Sequence, residues 1–166
     1  MSKTNLAIVL FITILATAAI VPAKTIKIPE DKPVISVNVP ESWAPEPTDK
    51  GIAIESPDKV ATVIFEVTSP KGVEALIDEN IDWLMKDQKV KIDKDSKSEK
   101  DFKSGKLDWS RISWDGDNEE FGPATVGFLM TKAGNKVVTV TYWITKKDSE
   151  KQMPQLDKIL SSVTVQ

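Results

Sequence analysis

The side chains best suited to chemistry in this chain gather between positions 109 and 120. Asp115-Gly116-Asp117-Asn118-Glu119-Glu120 brings five oxygen-bearing side chains into six residues, with a glycine that lets the backbone bend. Hard cations need several oxygen ligands converging on one point, so Asp115, Asp117, Asn118 and Glu120 (or Glu119 in its place) are candidate calcium ligands. The spacing departs from the EF-hand loop, because the glycine falls second rather than sixth. Asp-Gly and Asp-Asn are also what an ordinary hairpin turn selects. A plain solvated turn is the preferred reading and a calcium site the alternative. Just upstream stands Arg111, the only arginine of the chain, flanked at alternating positions by Trp109 and Ser113. A guanidinium among aromatics can grip a carboxylate or phosphate with two parallel hydrogen bonds. It can equally pair with a neighbouring acid in a sheet. Of the five tryptophans, Trp109 and Trp143 fall in one sheet region and Trp43 in a proline-rich loop. With Arg111 they are the candidate ligand-binding or protein-binding residues, against the preferred alternative that they fill a core.

The missing residue types narrow the chemistry further. The chain has no histidine and no cysteine. That removes the commonest general base, the usual zinc and copper ligands, thiol redox chemistry and any disulfide framework. Carboxylate chemistry, Ser–Lys chemistry and oxygen-ligated Ca²⁺ or Mg²⁺ survive. Ser104-Gly105-Lys106 and Ser96-Lys97-Ser98 lie in a charged tract with no sign of a buried site, and no pair of facing acids can be named. No catalytic residue is assigned, and no cofactor is expected beyond the calcium alternative. The net charge of −3 is mild and its signs are interspersed, so nucleic acid is not an expected partner.

These residues must be positioned by a sheet. Residues 25–28 and 34–39 alternate like short strands. Pro45 and Pro47 then argue against regular structure. Residues 51–55 and 59–68 form a hairpin about Ser56-Pro57-Asp58-Lys59, with proline at the second turn position. Val60 to Val67 is apolar on both faces, as a covered central strand would be. Ser69 and Pro70 open a helix whose apolar face is Val73, Leu76, Ile77, Ile81 and Leu84, with Trp83 beside it. Lys86 to Lys106 is a polyampholyte, read as weakly amphipathic strands or a mobile connection at the sheet edge. Strands at 107–114, 121–130 and 136–145 then make a meander, with the acidic turn between the first two. A last helix carries Met153, Leu156, Ile159 and Leu160, with Pro154 in its first turn or at a kink. Val163 to Val165 can add a short edge strand.

A basic head containing Lys3, an apolar run from Leu6 to Val21 and small residues at Val21-Pro22-Ala23 have the order of a secretory signal peptide. The run is shorter than the roughly 20 residues that span a bilayer. Residues 1–23 are therefore read as a leader and 24–166 as one exported domain, periplasmic or secreted, with no stable membrane span after cleavage. An alternative cut follows Ala18.

Three stretches resemble the PsbP-like superfamily: Val39-Pro40-Glu41-Ser42-Trp43, the strand from Lys136 to Ile144, and Leu156-Asp157-Lys158-Ile159-Leu160-Ser161-Ser162-Val163. The resemblance implies an α+β fold, an αβα sandwich with a central antiparallel sheet flanked by helices. Members of that superfamily include a subunit of the oxygen-evolving complex, a Ran-binding nuclear transport factor and exported bacterial proteins of the DcrB kind. Their partners differ and they share no catalytic apparatus. The resemblance therefore delivers no function by itself. With the usual catalytic residue types missing, the chain is read as a non-enzymatic binding or assembly domain, and the leader points to a protein or cell-envelope component as partner. A small-ligand or calcium-binding extracytoplasmic domain is the alternative.

Overall fold

A computed structural model describes residues 22–166; the apolar run read from the sequence as part of a leader, up to Val21, lies outside the described residues. The chain runs β1 (Ala23–Ile28), β2 (Ile35–Pro40), β3 (Ala44–Thr48), β4 (Gly51–Glu55), β5 (Ala61–Thr68), α1 (Val73–Lys86), β6 (Val90–Ser104), β7 (Leu107–Asn118), β8 (Gly122–Ala133), β9 (Lys136–Thr145), α2 (Ser149–Ser161) and β10 (Thr164–Val165). Seven strands form one antiparallel sheet in the order β3-β4-β5-β9-β8-β7-β6. The α+β class and the helix-flanked antiparallel sheet expected from the sequence are both present. One layer is richer than expected: β1, β2 and β10 form a second, three-stranded sheet that shares the α2 side.

Alternation along the strands divides the core between two faces. On one face Val63 and Phe65 of β5, Val138, Val140 and Tyr142 of β9, and Trp109 of β7 pack beneath α2 and the small sheet. On the other, Trp143, Val126 and Phe128 pack with Leu84 of α1. β5 is buried on both faces along most of its length, so its continuous apolar run does mark a covered strand.

Two local readings are corrected and two are narrowed. Ala44–Thr48 is a strand despite Pro45 and Pro47, because β3 is an edge strand and proline needs only an unpaired N–H side. Of the two readings of Lys86 to Lys106, the strand at the sheet edge holds and the mobile connection does not: the tract forms one fifteen-residue edge strand, β6, with a register shift between Asp93 and Ser98. The acidic stretch is not a turn over its whole length. Asp115 to Asn118 continue β7, opposite Thr125 to Gly122 of β8, and only the residues just beyond them turn. Two flanking partner strands supply hydrogen bonds that outweigh the turn preference of Asp and Asn. Finally, Pro154 lies at the sixth residue of α2, where it cannot donate to the Glu150 carbonyl.

Candidate functional site

The three candidate tryptophans are packed away. Trp43, Trp109 and Trp143 are 3%, 1% and 2% exposed, so none offers a ring face for stacking on a ligand. Trp109 and Trp143 sit on opposite faces of the sheet, a division that alternation along two strands of unknown register left open. Trp143 stacks on Phe121 with centroids 5.8 Å apart, and its indole N–H donates to the Gln88 side chain at 3.2 Å. Trp43 borders a shallow cleft with Pro40, Pro57 and Asp58. The acid there is already engaged: Lys151 binds it at 2.5 Å and Gln152 donates to both its oxygens at 3.1 Å. The hydrogen bond from Lys151 holds the Asp58 carboxyl below its ordinary range.

The acidic residues are likewise dispersed. Strand alternation puts Asp115 and Asp117 on one face of β7 and Asn118 on the other. Asp115 pairs with Lys146 at 2.8 Å, and Glu119 faces Lys91 at 3.6 Å. Asn118 is buried and holds the turn together: its side-chain oxygen accepts from the Glu120 and Phe121 amides, and its amide donates to the Gln88 carbonyl at 2.7 Å. Among the described residues no three carboxylates converge as a cation site would require.

Arg111 is the candidate that remains partly open to solvent. β6 and β7 pair regularly from Ser98–Ser113 to Ser104–Leu107, which sets Lys100 directly opposite Arg111. The two cations share a sheet face with Ser98, Phe102, Ser104, Trp109 and Ser113. No acid falls on that face within this span. The opposite face of the same ribbon carries Glu99, Asp101 and Asp108 against the single cation Lys103. Along this ribbon, charge is sorted by face. The Arg111 guanidinium lies 5.7 Å from the centre of the Phe102 ring, a cation–π contact. Beneath it is Tyr142, the only tyrosine, whose ring lies against Gly127 with no room for a Cβ there. Burial pushes the Tyr142 phenol up, while the charge and polar contacts of Arg111 and the hydroxyl of Ser113 pull the other way.

Among the described residues neither Lys100 nor Arg111 closes an ion pair. Like charges set directly opposite one another across two strands destabilise the pairing. The acids nearby are committed elsewhere: Glu99 pairs with Lys97 at 2.6 Å, and Asp101 accepts from Ser110 at 2.7 Å. The sequence showed Arg111 as a lone guanidinium among aromatics. It gave no sign of Lys100, since that requires the register of two strands.

A second polar cluster lies under α1. Asn80 donates to Glu66 at 2.7 Å and to Thr141 at 2.9 Å, tying the helix to the centre of the sheet. Glu66 is 6% exposed, and burial pushes its carboxyl up, against the hydrogen bond from Asn80. A Lys50–Glu79 ion pair spans from the start of β4 to α1 nearby. These contacts fasten a helix and expose no reactive group.

Comparison with protein families finds none that matches the chain, and comparison with curated proteins finds none either. Solved structures do match. The cyanobacterial PsbP (CyanoP) of Synechocystis sp. PCC 6803 aligns with a TM-score of 0.56 at 8% identity, over 92% of this chain and 97% of that one. LpqN, involved in cell envelope biogenesis of Mycobacterium tuberculosis, aligns at 0.52 and 12% identity over 87% and 90%. A Bacteroides thetaiotaomicron protein aligns at 0.54 and 16% identity over 80% of this chain and 45% of its own. The chain has the PsbP-like fold, and the resemblance read from its sequence holds at the level of fold.

Proposed function

We propose that this chain is an exported, non-enzymatic binding or assembly domain acting on a protein or cell-envelope component. The observation that carries this reading is the β6–β7 ribbon. It combines a long edge strand with a face on which two unneutralised cations meet an aromatic ring. Such an edge invites an extended partner, and such a face selects it by charge. A protein that shares the fold, LpqN, is involved in cell envelope biogenesis, which is consistent with a role of this kind. Residues 1–23 act as the leader, and the domain works without a cofactor. In the structure Pro22 still accepts a hydrogen bond from the Glu41 amide at 3.0 Å, which a cut after Ala18 preserves and one after Ala23 removes.

The test is capture from the source cell's own envelope. The full-length gene, tagged at its C-terminus, is expressed there, and retained proteins are identified by mass spectrometry with and without calcium. One protein enriched over a control domain of equal charge, in both conditions, is the expected result. No enrichment, or retention that requires calcium, contradicts the reading.

A further inference from the structure

The ribbon also specifies what kind of segment it would accept, an inference that rests on the binding-domain reading and sharpens it. β6 ends the seven-stranded sheet, so the outer backbone edge of fifteen residues pairs with no strand among those described. An extended chain laid along that edge gains ladder hydrogen bonds whatever its sequence, and its alternate side chains then fall on the two faces.

The faces of β6 make contrary demands. The residue opposite Lys100 meets two cations, Lys100 itself and Arg111 one strand further in. Two positions along on the same face, the partner meets Phe102, already covered on one side by the guanidinium. The residues opposite Glu99 and Asp101 meet acids. The neighbouring helix α2 does not satisfy the cations: Asp157 stands close enough to influence Tyr142 but closes no ion pair with either of them. Each demand is local and of known sign.

We infer that the partner contributes an extended protein segment that adds to β6 as an extra strand. Opposite Lys100 it carries a carboxylate, opposite Phe102 an apolar side chain, and opposite Glu99 and Asp101 basic ones. The carboxylate bridges the Lys100 ammonium and the Arg111 guanidinium, which turns an unfavourable cross-strand pair into a charge-assisted contact. Arg111 supplies a planar fork suited to that carboxylate, and Lys100 a point charge.

The single arginine makes the test clean, because a ¹⁵N spectrum contains one guanidinium Nε–H signal, well separated in ¹⁵N shift from the indole N–H groups of the five tryptophans, and it belongs to Arg111. The labelled full chain, kept in solution with a mild non-ionic detergent, is titrated with the peptide acetyl-Thr-Glu-Val-Lys-Glu-Lys-Thr-amide. Parallel titrations use the same peptide with its second glutamate replaced by glutamine, sodium acetate, and inorganic phosphate. The expected result is a saturable shift of the Arg111 signal together with the β6 amides. The glutamine peptide should bind about tenfold more weakly, as loss of a charge-assisted hydrogen bond implies. Lys100→Gln, at an exposed position and relieving a like-charge pair, should weaken the glutamate peptide without lowering the melting temperature, and Arg111→Gln should weaken it further. Three results would overturn the inference: equal binding of both peptides, no response to either, or acetate or phosphate matching the peptide at Arg111 while the β6 amides stay still. If envelope capture is unaffected by Lys100→Gln and Arg111→Gln, this inference fails and the binding-domain reading stands. If the peptide binds as described but no envelope protein is captured, the β6 edge accepts such a segment and the envelope-partner reading fails.

Discussion

Gly127 shows how closely the ribbon is built onto the core. A Cβ at that position would lie 2.6 Å from the Tyr142 ring, and the phenol has packed partners on its other sides. Gly127→Ala should therefore cost about 1–3 kcal/mol by overpacking, read as a lower urea midpoint with an unchanged slope. It should also move the Arg111 Nε–H signal, since Tyr142 is wedged between the two. Glu66 offers a test through pH. Its folded-state carboxyl is raised above the ordinary value of 4.5, so the folded chain holds a proton that the unfolded chain has released. Stability is then greatest below that ordinary value and falls as pH rises toward the folded value. Glu66→Gln keeps an acceptor for Asn80 and removes the buried charge. Melting temperature should rise at pH 7.5 and stay the same at pH 4. A drop at pH 7.5 would show that the ionised carboxylate stabilises the fold. At this scale the sequence was half legible: Arg111 stood out by being alone, whereas Lys100 was one lysine among many until register placed it.

Among the elements, α1 is held by one apolar face and by the polar contacts of Asn80 and Glu79. Leu84 is fully buried on the Trp143 side, while its neighbour Met85 is 47% exposed. Leu84→Ala should cost about 2–5 kcal/mol and Met85→Ala no more than about 0.5 kcal/mol, measured by chemical denaturation. Comparable costs would mean that α1 docks through a different face. Periodicity located this helix and its buried stripe, because a 3.6-residue repeat survives whatever the tertiary context. It failed where partners decide. Pro45 and Pro47 looked like breakers and sit on an edge strand, where a missing N–H is harmless. Asp115 to Asn118 looked like a turn and are held extended by a strand on either side. The charged tract from Val90 to Ser104 carries a face-by-face order of charge that emerges only once β7 is laid beside it.

For the whole molecule, the proposed leader and the calcium alternative can each be tested directly. N-terminal sequencing of the protein isolated from its own cells should begin at Lys24 or at Ala19; an intact Met1 would contradict export by cleavage. With Asp115 and Glu119 paired to lysines and no three carboxylates converging among the described residues, millimolar calcium should leave the melting temperature within about 1 °C, since a ligand stabilises only by binding the folded state. A rise of several degrees would restore the calcium alternative. The overall fold was visible in the order of strands and helices and in three short stretches of structural residues. The strands β1, β2 and β10 were legible one by one, but their union in a separate small sheet was not, because β10 joins it through a long-range pairing: Ile35 pairs with Val165.

The central claim is that the β6 edge, and not the opposite edge of the sheet, meets the partner. A photo-crosslinking residue placed at Ser98 of β6, or at Glu46 of the far edge strand β3, decides between them in the source cells. One discrete protein adduct is expected from position 98, diminished by Arg111→Gln, and none from position 46. An adduct from position 46 alone, or from neither position, would contradict that claim.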